Sequence, residues 1–176
     1  MRFSGQSNMP ELRILGIDPG LARMGWGVVV LGGTRLTHIA HGVLTSDAKS
    51  GTGARLLVLH SNLAEIIAQH VPQVIAVEQA FVHKDPSAAL KLGQARAVAL
   101  LAAAHAGLDV AEYAPNHIKK CVVGAGHAGK EQVLAMVRRL LPTAQVTSAD
   151  AADALAAAIA HAHVSGTRAR IDAALA

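Results

Sequence analysis

Four carboxylates in this chain have the residue types and the spacing to act together. The run Ile14-Leu15-Gly16-Ile17 stops on Asp18, and Pro19-Gly20 then turns the chain. Val74-Ile75-Ala76-Val77 stops in the same way on Glu78. An apolar run closed by a turn marks a core strand, here one that delivers an acid at its carboxyl end. Asp150 and Asp153, three residues apart in an alanine-rich stretch, share one face of a helix in its first turn. Each acid taken singly has a plainer reading. Asp18 could cap its own turn, and the Asp150–Asp153 pair could compensate a helix dipole. Taken together they imply a shared cleft. Two carboxylates about 4 Å apart repel by roughly 4 kcal/mol at an effective dielectric of about 20, a large part of the stability of an ordinary domain. Protons or hard divalent cations must offset that repulsion. Mg²⁺ and Mn²⁺ suit all-oxygen ligands, and two such ions about 4 Å apart serve an in-line displacement at phosphorus.

Basic groups that could meet a phosphate cluster later in the chain. Lys119 and Lys120 follow Pro115 in a short helical stretch, and Lys130 follows the turn Gly124-Ala125-Gly126-His127-Ala128-Gly129. That turn satisfies both G-x-x-x-x-G-K and G-x-G-x-x-G. Glu131, however, stands where a phosphate loop needs Ser or Thr, and a helix precedes the turn instead of a strand. ATP and dinucleotide binding are therefore rejected, leaving backbone amides that could meet a DNA phosphate. Lys91 and Arg96 read either as DNA contacts or as the solvated face of a helix, and the same choice holds for Lys119 and Lys120. Phe81 lies among polar His83, Lys84 and Asp85, which argues for exposure over a core role. Cys121 reads as a small core residue. His161 and His163 do not share a helical face and are poor ligands.

The elements that must position these groups follow from periodicity and punctuation. Strands are expected over 12–18, 25–31 and 36–44, with Gly32-Gly33 as a hairpin signal, so the chain opens with an antiparallel meander. A helix over 55–70 ends at Val71-Pro72. Next come a strand over 73–78 and a helix over 87–105, capped by Ser87 and closed by Gly107. A strand over 109–113, a short helix from Pro115, a helix over 130–141 and a last helix over 149–164, capped by Thr147 or Ser148, complete the order. Residues 1–11 and 165–176 read as loose tails. This order predicts an α/β domain with a mixed five-stranded sheet and helices on both faces. No repeat or long linker divides the 176 residues, so one domain is expected. Functional groups gather at the carboxyl ends of parallel strands in such sheets. Asp18 and Glu78 converge if their strands are neighbours.

Composition sets the outer bounds. Alanine supplies much of the 52% hydrophobic content, and no apolar run approaches the roughly 20 residues of a membrane span. The first ten residues lack the apolar region of a secretory signal. A single cysteine excludes an intramolecular disulfide and forms no zinc site with the ten scattered histidines. A cytoplasmic protein with no membrane partner is the expectation. The net charge of +4 permits a nucleic-acid partner. Only Phe3, Trp26, Phe81 and Tyr113 are aromatic, which argues against a binding mode built on ladders of stacked bases. A polyanion would be held through Lys, Arg and backbone amides on its phosphates.

With these motifs in place the chain resembles the RuvC Holliday junction resolvases. LGIDPG at 15–20, VEQAF at 77–81, KLGQARA at 91–97, VVGAG at 122–126 with Lys130, and ADAADALA at 149–156 carry the resemblance, in order, from Leu12 to Val164. It implies a ribonuclease H-like fold and a homodimeric endonuclease that resolves four-way junction DNA by symmetric nicking of two opposing strands. The products it implies carry 5′-phosphate and 3′-hydroxyl ends, and the setting is homologous recombination and repair. Two Mg²⁺ or Mn²⁺ ions per site are implied, with Asp18, Glu78, Asp150 and Asp153 as ligands and catalytic acids. Lys130 joins the catalytic set, and some members of the family carry histidine where Asp150 stands. Phe81, Lys119 and Lys130 become DNA contacts; Lys91, Arg96 and Lys120 are further candidates, and the alanine-rich helix over 87–105, with its small side chains, is a candidate dimer surface. RuvA and RuvB are the partners implied. The alternative is another ribonuclease H-like nuclease acting on RNA–DNA hybrids or other branched substrates. A sugar-kinase or actin-type ATPase also opens on a GxDxG strand, but it needs a second phosphate loop for which this chain is too short.

Overall fold

The structure of the chain, a computed structural model, describes residues 11–79 and 85–175. Strands β1 (Leu12–Asp18), β2 (Arg23–Gly32) and β3 (Arg35–Thr45) form the expected antiparallel meander. Strands β4 (Val74–Glu78) and β5 (Asp109–Tyr113) add in parallel on the other side of β1, giving the order β3-β2-β1-β4-β5. Parallel neighbours need a crossover long enough to return the chain to the same end of the sheet. Helices α1 (Thr52–His70) and α2 (Pro86–His105) supply it, and α3 (Pro115–Val123), α4 (Lys130–Leu140) and α5 (Ala149–Leu175) follow β5. Among the described residues no helix is long and apolar enough to cross a membrane.

Side chains alternate across a strand, so β1 and β4 feed two cores. Leu15, Ile17, Ile75 and Val77 pack with Leu59, Leu63, Val98 and Ala102 of α1 and α2. Ile14, Val74 and Ala76 pack with Val122, Val137, Leu155 and Ile159 of α3, α4 and α5. By the same alternation Asp18 and Glu78 end their strands on the α5 face. That face is bare where β1 meets β2, because Gly16 pairs with Gly27 and Asp18 pairs with Gly25. Helix α5 lies in the resulting trough. A Cβ at Gly16 would fall on the backbone of Ala154, one at Gly25 on the carbonyl of Asp150, and one at Gly27 on the Leu155 side chain. The close approach buries Ala154 through Ala160 and fixes the first turn of α5 above the strand ends.

Three sequence expectations change. Helix α1 starts at Thr52, a turn before the expected Arg55; the Arg55 amide already donates to the Gly51 carbonyl at 3.1 Å. Asp85, not Ser87, caps α2: its carboxylate accepts from the Ser87 amide at 2.9 Å, with Pro86 in the first turn, where its missing N–H is not needed. The stretch after Val164, expected as a loose tail, continues α5 to Leu175. No proline interrupts it, alanine and arginine favour helix, and Thr167 and Arg170 bond back to the carbonyls of His163 and Gly166 at 2.8 and 3.1 Å. The expected lead lies outside the described residues apart from Glu11.

The glycine trough makes a stability prediction. Gly16→Ala forces α5 off the sheet and costs about 2–3 kcal/mol. Gly93→Ala, in an exposed stretch of α2 where a Cβ meets nothing within 4 Å, stabilises by about 0.5–1 kcal/mol. Urea unfolding of the two variants beside the parent protein measures both. Equal, near-zero effects would contradict the close packing of α5.

Candidate active site

The parallel register that sets Ile17 beside Val77 puts Asp18 and Glu78 side by side at the carboxyl ends of adjacent strands. The first turns of α5 bring Asp153 over them. Helix α3 adds Ile118 and Lys119, and α4 adds Lys130 and Val133, closing a cleft of about 200 Å³. Its floor is apolar where Ile118, Val133 and Ala156 line it. Low polarity and like charge act together there on the acids. Burial, and then the charges of Glu78, Asp153 and Asp150, push the Asp18 carboxyl up to about 8, against the pull of Lys130. Burial and then Asp153 push Glu78 up to about 7, with Lys119 and Lys130 opposing. Asp153 is raised as well, first by burial.

The cations around these acids hold them loosely. Lys130 Nζ stands 3.9 Å from Asp153 Oδ2 and is 78% exposed, a geometry that contributes little in water. Asp150 does not line the cleft; its Oδ2 accepts from Arg23 Nε at 2.7 Å. Among the described residues no group of three or more His, Cys, Asp or Glu is arranged to hold a metal ion as it stands. The donor set nevertheless fits a hard divalent cation. It consists of oxygen ligands only, gathered from three elements around one cleft, with raised carboxyl pKa values that a divalent charge would lower.

Of the residues expected from sequence, Asp18, Glu78, Asp153, Lys119 and Lys130 come together in the cleft. Asp150 stands one turn away on α5. Lys120 is exposed on α3 outside the lining, and Lys91 is exposed on α2. Arg96 makes a two-pronged pair with Glu112, Nε and Nη2 donating at 2.5 and 2.7 Å. Glu112 lies beside Val77 on the α2 face of the sheet, away from the acids. Phe81 lies outside the described residues. Sequence reasoning missed Arg23, whose partner is 127 positions away and leaves no local signal. It also missed Tyr113, which is beside Glu78 in the register. The Tyr113 ring stacks on His117 with centroids 5.4 Å apart, and its hydroxyl lies 2.7 Å from His161 Nδ1. These bonds tie the α3 wall of the cleft to α5.

Without a divalent cation, the folded protein keeps protons on Asp18 and Glu78 that the unfolded chain releases near pH 4. Stability of the metal-free protein therefore falls as pH rises from about 4 through about 8. Asp18→Asn flattens that fall and stabilises the metal-free protein at pH 8 by about 2 kcal/mol, or roughly 4–8 °C in Tm. Mg²⁺ or Mn²⁺ raises the parent Tm more at pH 8 than at pH 5, where protons compete for the same oxygens. Thermal melts across pH in a chelating buffer test this. An Asp18→Asn protein with the parent's pH slope would contradict the electrostatic account.

Comparison with known proteins follows the same lines. The family model for "Crossover junction endodeoxyribonuclease RuvC" matches residues 14–161. The Parvibaculum lavamentivorans protein of that name is 59% identical over 165 residues, covering 94% of each chain. The Cereibacter sphaeroides protein of that name is 55% identical over 165 residues, 94% of this chain and 98% of its own. Among solved structures, Thermus thermophilus RuvC in complex with Holliday junction substrate is 32% identical, with a TM-score of 0.83, covering 89% of this chain and 96% of that one. The mixed sheet with helices on both faces is thus shared with a RuvC of known structure. On the strength of a match that spans the sheet, the cleft and all four acids, the chain belongs to the RuvC family of crossover junction endodeoxyribonucleases.

Proposed function

We propose that this protein is a structure-specific endonuclease that resolves four-way DNA junctions in recombination and repair, nicking two opposing strands in a reaction that depends on divalent cations. The observation that carries the reading is the convergence of Asp18, Glu78 and Asp153 with Lys119 and Lys130 on one cleft, in a chain of the RuvC family. Asp18, Glu78 and Asp153, joined by Asp150, are the residues that would hold Mg²⁺ or Mn²⁺, two ions per site. Such ions activate water and offset charge at phosphorus when bound. The chain's own residues do the rest. The carboxylates fix the ligand geometry above an apolar floor. Lys119 and Lys130 hold the phosphate from the α3 and α4 side, and Lys120, Lys91 and Phe81 are further DNA contacts in the same reading. Arg96, occupied by Glu112, serves α2 more than the DNA. Water opens the phosphodiester with the 3′ oxygen leaving, so the ends are a 5′-phosphate and a 3′-hydroxyl.

Nicking two equivalent strands calls for two sites related by a two-fold axis. Leu90 and Leu101 on α2 and Leu57 on α1 are half or more exposed, which supports a homodimer built on this side of the molecule. A cytoplasmic location and the branch-migration proteins RuvA and RuvB belong to the same reading.

Cleavage of a synthetic mobile junction, a linear duplex and an RNA–DNA hybrid separates this function from that of another ribonuclease H-like nuclease. The junction is cut in Mg²⁺ or Mn²⁺ and not in chelator, at symmetric positions, and the other two substrates are spared. Asp18→Asn and Asp153→Asn each lower the rate by about a thousandfold, and Lys130→Ala by about 10- to 100-fold. Faster cutting of the hybrid, or wild-type rates in either Asp variant, would overturn the assignment.

A further inference from the structure

Asp150 and Asp153 share a face of α5, yet only Asp153 lines the cleft. Asp150 turns to Arg23, which donates from Nε at 2.7 Å. The backbones beneath this pair are fixed. The Asp150 carbonyl abuts Gly25. The residues before Arg23 are fastened to Ser46, whose amide donates to the Ala22 carbonyl at 3.2 Å and whose hydroxyl donates to the Leu21 carbonyl at 2.5 Å. Only the side chains are left to move, and they are free to do so: the Arg23 side chain is 55% exposed and that of Asp150 31%. Asp150 nevertheless adds to the negative field at Asp18 and Asp153, so its carboxylate stands within electrostatic reach of any cation they hold. An exposed pair of single charges is weak and exchangeable. A divalent charge in a cleft of three further acids outcompetes it.

We propose that Arg23 is an exchangeable counter-ion for Asp150: it holds that carboxylate outside the cleft in the metal-free protein and yields it to the divalent cation, so that Arg23 tunes the cation affinity of the site. Arg23 acts here as a positioning residue, through Asp150. The proposal rests on the cation-dependent reading above and goes beyond it by naming a residue that works against cation binding.

Calorimetric titration of Mn²⁺ into metal-free protein, without DNA, tests it in the parent, Arg23→Gln, Asp150→Asn and the double variant. Arg23→Gln tightens Mn²⁺ binding about two- to fivefold, Asp150→Asn weakens it, and Arg23→Gln has no further effect in the Asp150→Asn background. Unchanged or weaker binding by Arg23→Gln overturns the proposal. So does equal tightening in both backgrounds, which is charge repulsion alone, and so does an Asp150→Asn protein that binds as the parent does. Melting curves in chelator confirm that each variant is folded. Failure of the nuclease reading is a different result, a parent protein that binds Mn²⁺ and leaves junctions intact.

Discussion

Helix α5 can lie where it does only because β1 and β2 carry glycine at the three positions beneath its first turns. Gly16, Gly25 and Gly27 let its backbone settle onto the sheet, and that depth fixes where its first turn stands relative to the strand ends. Asp18 and Glu78 are placed by strand register, Asp153 by this contact. The site is therefore a product of close packing between a helix and a sheet. The trough glycines therefore bear on the site although none of them supplies a ligand.

The same packing makes the acids costly to hold. They sit on an apolar floor, they repel one another, and among the described residues Lys130, 3.9 Å from Asp153, is poorly placed to neutralise them. The contrast with Arg96 and Glu112 is instructive. That pair is two-pronged and short, a geometry in which charge-assisted hydrogen bonds are strong, and it gives both carboxylate oxygens a charged partner. Lys130 stands back from Asp153 at 3.9 Å. A lysine bonded to these acids as tightly as Arg96 is to Glu112 would remove the electrostatic demand on which the proposed cation uptake depends. The described residues leave Asp18, Glu78 and Asp153 under-compensated on one face of the sheet and pair Glu112 with Arg96 on the other.

Much of this was legible in the sequence, for reasons that can be named. Apolar runs that stop on an acid and a turn gave β1 and β4, and with them Asp18 and Glu78. The i, i+3 spacing put Asp150 and Asp153 on one helical face. The divergence of those two was not legible, because it depends on Arg23, brought near by tertiary register alone. Gly16, Gly25 and Gly27 carry no sequence signal of their role, because the backbone that approaches them belongs to a helix more than 120 residues away. The run of α5 past Ser165-Gly166 was hidden by residues that usually punctuate a helix and here do not. The cap of α2 slipped from Ser87 to Asp85 because the Asp-Pro step competes better for the same helix start. Arg96 was legible as a surface cation, but its engagement by Glu112 follows from strand register between β4 and β5.

The central claim is that buried, mutually repelling carboxylates hold protons at neutral pH and exchange them for divalent cations. Calorimetric binding of Mn²⁺ at pH 7 in buffers of differing ionisation enthalpy measures that exchange directly. The account predicts release of about one proton or more per chain on binding, reduced when Asp18 is replaced by Asn. Binding with no proton release, unchanged by that replacement, would contradict it.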